Sequence, residues 1–257
     1  MIPAPRGGGT VKSADRLMSL FEYLAKVRSA TFADVVRDLE LPSSSAYELL
    51  STALRRRFVA FNETTREYRL GIRLWELAQA STGEVPLAEL AQPLMEQLTA
   101  RTEETVQLAQ LDGLDNIYLA ISESPHPMKL VSSVGSRLPA HTTGLGKTLL
   151  AGLSDDELRR RLEGVALEAM TDNTITDTEE LLREVQRIRQ NGYGEDREEY
   201  VIGCRCIAIP VRAKDGSTLA AMSVSAPTPR LTPRIERAIH EELARTVTEL
   251  QEVLNDL

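Results

Sequence analysis

Cysteine is scarce in this chain: two among 257 residues, Cys204 and Cys206. In an extended strand, residues one apart sit about 6.6–6.8 Å from each other. That is too far for a comfortable disulfide, and the pair points to a reduced, cytoplasmic protein. Histidine is equally sparse, and His126, His141 and His240 are scattered. With the cysteines they make no dense metal-ligand spacing, so neither metal nor cofactor is expected. No segment approaches the ~20 unbroken apolar residues of a membrane span. The stretch 1–9 has Pro and Gly but no apolar h-region, and reads as a tail rather than a secretory signal. No repeat of solenoid period is present. What remains is ordinary globular material: 42% hydrophobic residues in a length that suits two domains with real cores.

Charge is unevenly placed. The net charge is −8, yet residues 1–71 carry 11 Lys and Arg against 8 Asp and Glu, while 72–257 carry 19 against 30. A mildly basic head on an acidic body fits a head that meets phosphates and a body with another task.

Hydrophobic periodicity gives the head its form. Leu17, Leu20, Phe21 and Leu24 predict an amphipathic helix over 14–27, with Ser13 as its N-cap. Phe32, Val35, Val36 and Leu39 predict a second, and Leu41-Pro42 a turn. Ser43-Ser44-Ser45 then opens a third helix, whose apolar positions are Ala46, Leu49, Leu50, Ala53 and Leu54. Two helices joined by a tight turn, the second led by small hydroxyl residues, form a helix-turn-helix. After Phe58 the period changes to 2. Val59–Phe61, a polar tip at 62–66 and Tyr68–Leu70 read as a β-hairpin wing.

The third helix carries groove chemistry. With its apolar stripe turned inward, it shows Ser44, Ser45, Tyr47, Glu48, Ser51 and Thr52 outward. Short hydroxyls near a helix N-terminus bond phosphates and base edges. Ser43 belongs to the same group, and Arg55, Arg56 and Arg66 can hold the sugar-phosphate backbone. Taken singly, each has a plainer reading: Ser43 as a cap, the other serines as solvated surface, the arginines as complements to the helix C-terminus. The constellation favours DNA.

The stretches 13–17 (SADRL), 41–50 (LPSSSAYELL) and 68–71 (YRLG) resemble the winged helix of the isocitrate lyase regulator (IclR) family. Further on, 135–150 (GSRLPAHTTGLGKTLL), 192–196 (GYGED), 203–211 (GCRCIAIPV) and 223–225 (SVS) resemble that family's effector-domain signatures. The likeness runs in the family's order over residues 10–250. It implies an α+β protein of two domains: tail 1–9, winged helix-turn-helix 10–71, linking helix 72–83, and a GAF-like α/β effector-binding domain 84–257. Two positions depart from the family. Arg57 stands where glycine is frequent, and at a positive φ it costs on the order of 1 kcal/mol. Glu48 stands where a basic residue is frequent, so the operator sequence does not carry over.

The rest of the chain is mixed in pattern. Helices are expected at 87–102, 145–152, 155–162, 179–191 and 233–254, and strands at 106–111, 117–121, 129–133, 206–212 and 219–225. Gly144-Leu145-Gly146-Lys147-Thr148 ends like a P-loop, but His141 occupies a glycine position and Arg137-Leu138-Pro139 before it reads as a loop. There is no Gly-x-Ser-x-Gly elbow and no grouped triad. A binding pocket is the better expectation. Gly144 and Leu145 begin a helix, so their amides are candidates for an anionic group, while Ser223 and Ser225 share one face of a strand. The resemblance places Leu138, Gly144, Leu145, Asp196, Cys204, Cys206, Ser223 and Ser225 at the effector site. The expectation is a non-enzymatic, effector-responsive repressor of a catabolic operon. Its partners are double-stranded operator DNA, a small aliphatic or aromatic carboxylate, and itself, as a dimer or dimer of dimers, with no membrane. Its rival is an enzyme or metabolite-binding module with an incidental winged helix, for which Asp196 and Cys206 are the one pair to nominate.

Overall fold

The computed structural model describes residues 11–81 and 87–256, with the backbone alone for 78–81. It divides into two compact units, Met1–Glu84 and Val85–Leu257.

In the first unit, α1 (Lys12–Val27) is followed by β1 (Ala30–Thr31), α2 (Phe32–Asp38), α3 (Ser43–Arg55), β2 (Val59–Asn62), β3 (Glu67–Leu70) and α4 (Ile72–Ser81). The N-cap of α1 is Val11, not Ser13, and its side chain makes no cap hydrogen bond. At α2, Thr31 and Asp34 form a reciprocal capping box, each side chain bonding the other's backbone N–H. The three helices bury one core, with Leu20, Leu24, Val35, Ala46, Leu50 and Ala53 closed over by Val59. A fully buried leucine contributes roughly 1.5–3 kcal/mol, so this stripe is what fixes α3 against α1 and α2. The strands β2 and β3 form the wing hairpin, and the short β1 adds an outer strand to it in the order β1-β3-β2.

The wing begins with a sharp reversal. Arg57 has φ +61°, the left-handed conformation for which glycine is suited. The chain then returns at Gly71, where an added Cβ would lie 2.2 Å from the Arg57 carbonyl oxygen. That crossing requires glycine at 71.

The second unit runs α5 (Leu87–Thr102), β4 (Thr105–Asp112), β5 (Asp115–Ser122), β6 (Arg137–Pro139), α6 (Gly144–Leu150), α7 (Asp155–Leu162), α8 (Thr178–Asn191), β7 (Gly194–Arg197), β8 (Cys204–Arg212), β9 (Thr218–Pro227) and α9 (Pro233–Asn255). The strands make one antiparallel sheet in the order β6-β5-β4-β9-β8-β7. One face packs on α5 and α9, where Met95, Leu98, Leu243 and Val247 meet Val106, Leu108, Met222 and Val224. The opposite face turns Ala109, Ala208 and Ala221 toward Leu145 and Leu149 of α6. Three alanines in neighbouring strands keep that face shallow and let α6 lie close.

Residues 129–133 form no strand, and β7 is a strand that hydropathy does not announce.

Candidate functional site

On the first unit, α3 turns Ser44, Tyr47, Glu48 and Thr52 outward as expected, whereas Ser45 and Ser51 are half-buried. Ser43, Ser44 and Glu48 are exposed, and Tyr47 projects with 67% of its surface open. Ser43 is the first residue of the helix rather than its cap, a position held by Pro42. Ser45 is half-buried, with Arg16 of α1 donating toward its Oγ at 3.5 Å. Arg55 and Arg56 are exposed at the end of α3, where Arg55 reaches Thr52 Oγ1 at 3.5 Å. At the wing tip, Asn62 Oδ1 accepts from the amides of Thr64 and Thr65. Arg66 follows at φ +58°, with its guanidinium 5.4 Å from the centre of the Phe61 ring. Hydroxyls, a phenol and three guanidinium groups thus line an exposed helix and the hairpin beside it. This is the composition that phosphate and base-edge contact needs.

The second unit gathers the other set. Register places Asp196, Cys206, Ser225 and Thr105 in one row across four strands. The next row on the same face holds Gly194, Ala208, Ser223, Gln107 and Ile121. Cys204 lies one pleat beyond Cys206. Gly144 comes so close to this face that a Cβ there would sit 2.6 Å from Cys206 Sγ and 3.0 Å from the Asp196 nitrogen. Leu145 packs into the apolar cluster beside it, with Leu138 against its edge. Asp196, Cys204, Cys206, Ser223 and Ser225 thus lie on the sheet face that Gly144 and Leu145 of α6 approach, while Leu138 stands on the far edge strand, β6.

Gly144 and Gly146 owe their presence to this packing. A Cβ at Gly146 would stand 2.2 Å from the Ala140 carbonyl oxygen. Lys147, which a P-loop would aim at phosphate, is 1% exposed and paired instead with Glu199. Glu184 lies 3.9 Å from the same ammonium. The three histidines go to separate places: His126 near Glu103, His141 on the Glu168 carbonyl, His240 against Tyr193.

Burial sets the protonation of the site. It pushes the Asp196 carboxyl up to about 7, aided by the Glu199 charge and opposed by backbone amides of Glu199 and Tyr200. Burial also pushes the Cys204 thiol up to about 11. Cys206 is raised by burial as well, with Asp196 adding to the effect. Both thiols are free and protonated at neutral pH, hence poor nucleophiles.

Three residues of this face escaped the sequence reading. Gln107 accepts from Ser225 Oγ at 2.8 Å and from Ser223 Oγ at 3.4 Å, and donates to Ser132 Oγ at 2.9 Å. Tyr118 lies in the cluster with Leu145 and the three alanines. Asn116 accepts from Thr143 Oγ1 at 2.8 Å. Gln107 interrupts an apolar run, which is a signal of a sort; the others follow from register alone.

A winged helix-turn-helix with exposed groove chemistry, joined in one chain to a sheet with a buried polar face, defines a DNA-binding regulator with a second, sensing domain. Comparison makes this specific. The bacterial transcriptional regulator IclR C-terminal model matches residues 79–252, and the IclR helix-turn-helix model matches 13–63. The HTH-type transcriptional regulator KdgR of Escherichia coli (strain K12) is 32% identical over 244 residues, 95% of this chain and 92% of that protein. The HTH-type transcriptional repressor AllR of the same strain is 30% identical over 222 residues, 86% of this chain and 82% of that protein. Among solved structures, an IclR homolog from Microbacterium hydrocarbonoxydans complexed with 4-hydroxybenzoate is similar with a TM-score of 0.81 at 26% identity, covering 94% of this chain and 97% of that one. The chain belongs to the IclR family of transcriptional regulators. Its relatives are named as regulators, not enzymes, and among the described residues no helix is long and apolar enough to cross a membrane.

Proposed function

We propose that the protein is a cytoplasmic repressor of a catabolic operon, whose grip on operator DNA is set by a small aliphatic or aromatic carboxylate. The observation that carries this reading is that Asp196, Cys206, Ser225 and, one row on, Ser223 share one buried polar face of the sheet, against which Gly144 of α6 packs. Asp196, which keeps its proton up to about pH 7, and the protonated thiols make that face more tolerant of an anion than an ordinary carboxylate would. They also argue against catalysis by Cys206. The name of the AllR repressor and the 4-hydroxybenzoate bound by the Microbacterium homolog support the same reading.

In this account residues 10–71 read DNA through Ser43, Ser44, Ser45, Tyr47, Glu48, Arg55, Arg56 and Arg66. Residues 72–83 link, and 84–257 sense. Ile72 and Trp75, three apart and so on one side of α4, are 58% and 61% exposed. An apolar strip of this kind suits a twofold dimer, which would present two wings to a pseudo-palindrome and pair again into a tetramer. Ligand then acts by its differential affinity for two placements of the DNA-reading units. Titrating operator DNA with and without 4-hydroxybenzoate, benzoate and acetate tests the coupling. At least one should move the midpoint by fivefold or more, and unchanged affinity with all three would contradict the proposal.

A further inference from the structure

Charge is sparse on the helix proposed to read DNA. Between Ser43 and Leu54, α3 carries one charged residue, and it is an acid, Glu48. Ser44, Glu48 and Thr52 follow at intervals of four and so form one line along the helix, all of it exposed. The arginines stand around this line rather than on it: Arg55 and Arg56 close the helix, and Arg66 belongs to the wing. Glu48 makes no ion pair among the described residues. Arg16 of α1, which lines the same groove, donates toward Ser45 Oγ at 3.5 Å instead.

An unpaired carboxylate carried into the major groove meets the field of the phosphates and is repelled. The surrounding arginines offset the approach to the backbone, but only a donor on a base edge can engage the acid itself. The groove offers two such donors, the amino groups of cytosine and adenine. Adenine N6 stands between two acceptors, its own N7 and thymine O4, and both repel a carboxylate. Cytosine N4 has one acceptor neighbour, guanine O6, and a C–H on its other side. Cytosine is therefore the base that an acid on this line selects.

We infer that Glu48 is the specificity-determining residue of α3: its carboxylate accepts from N4 of one cytosine in each half-site, while the flanking arginines hold phosphates. The inference rests on the reading of α3 as the element that meets DNA, and adds the base that it chooses.

The test is selection of bound duplexes from a randomised library by the full chain, comparing the parent with Glu48→Ala and Glu48→Gln. The side chain is exposed, so both variants should keep the parent's melting temperature. The parent should enrich a sequence with a required cytosine that Glu48→Ala no longer requires. In Glu48→Gln the preference should move to adenine, whose N6 and N7 a glutamine amide bonds together. On the selected operator, replacing that C·G pair by T·A should weaken the parent about tenfold or more and leave Glu48→Ala almost unchanged. A scrambled duplex should be bound by Glu48→Ala at least as tightly as by the parent, because a repelled charge is gone. Identical base preferences in the parent and Glu48→Ala would overturn the inference and leave α3 standing as the reading element. Equal weakening of Glu48→Ala on operator and scrambled duplex would overturn it as well, and assign Glu48 a structural role. No sequence enriched by the parent would overturn both the inference and the reading on which it rests.

Discussion

Replacing Asp196 by Asn should remove most of the pH dependence that this residue imposes on the second unit between pH 4 and 8. Asp196 is 6% exposed and its carboxyl is raised from 3.8 to about 7, chiefly by burial. A carboxyl with a raised folded-state pKa holds its proton more tightly in the native protein than in the unfolded chain. Its contribution to stability is therefore complete below about pH 4 and is lost as pH rises toward 7. The slope is about 1.4 kcal/mol per pH unit, so the loss is on the order of 4 kcal/mol by pH 8. Asn keeps an oxygen for the Glu199 amide, which Asp196 Oδ1 accepts at 2.7 Å, and never charges. Relative to the parent, Asp196→Asn should be less stable or equal at pH 4.5 and progressively more stable up to pH 8. Scanning calorimetry across that range is the assay. The single tryptophan, Trp75, lies in the first unit and its fluorescence would report the wrong transition. A stability difference that stays constant from pH 4.5 to 8 would refute the argument that burial keeps Asp196 neutral.

Two further outcomes follow from particular residues. Arg57→Gly relieves a left-handed arginine and removes only exposed contact with Glu76, at 3.2 Å. It should raise the first unit's stability by about 0.5–1 kcal/mol in urea unfolding followed by circular dichroism. Trp75→Glu puts a charge on the apolar strip of α4, where Trp75 is 61% exposed. It should leave the monomer folded and, for the dimer proposed above, raise the dissociation constant at least tenfold in sedimentation equilibrium.

Much of the fold was legible because hydrophobic period and packing agree. The stripe Leu17–Leu24 and the run Ala46–Leu54 each face one core, and the switch to period 2 after Phe58 marks the wing. The departure at Arg57 was legible too, because a family glycine implies a positive φ that the arginine does adopt. Other elements hide for physical reasons. Edge strand β7, Gly194–Arg197, carries two acids and an arginine, so no apolar alternation reveals it; only pairing with β8 makes it a strand. Edge strand β6 ends at Pro139 and pairs over three residues. Conversely, 129–133 looks apolar enough for a strand, yet Val131 is 77% exposed, and Lys129 folds back onto Glu123 and the Ser124 carbonyl. The eight residues proposed for the effector site came from resemblance, with Gly144, Leu145, Ser223 and Ser225 also suggested by a helix start and a shared strand face. Tyr118 and Asn116 join them only through strand register, which no local pattern encodes, while Gln107 leaves only the trace of a polar break in an apolar run.

The measurement closest to the central claim is a gel shift of the purified protein on the DNA upstream of its own gene, at 50 mM and 200 mM salt. The double variant Ser44→Ala/Tyr47→Ala is run beside it. Both side chains are exposed on α3, so the variant should fold with its melting temperature kept. A specific shift that weakens steeply with salt and disappears in the variant is the predicted result. A shift that survives in the folded variant, or one indifferent to salt, would contradict the assignment of α3 as the element that reads DNA.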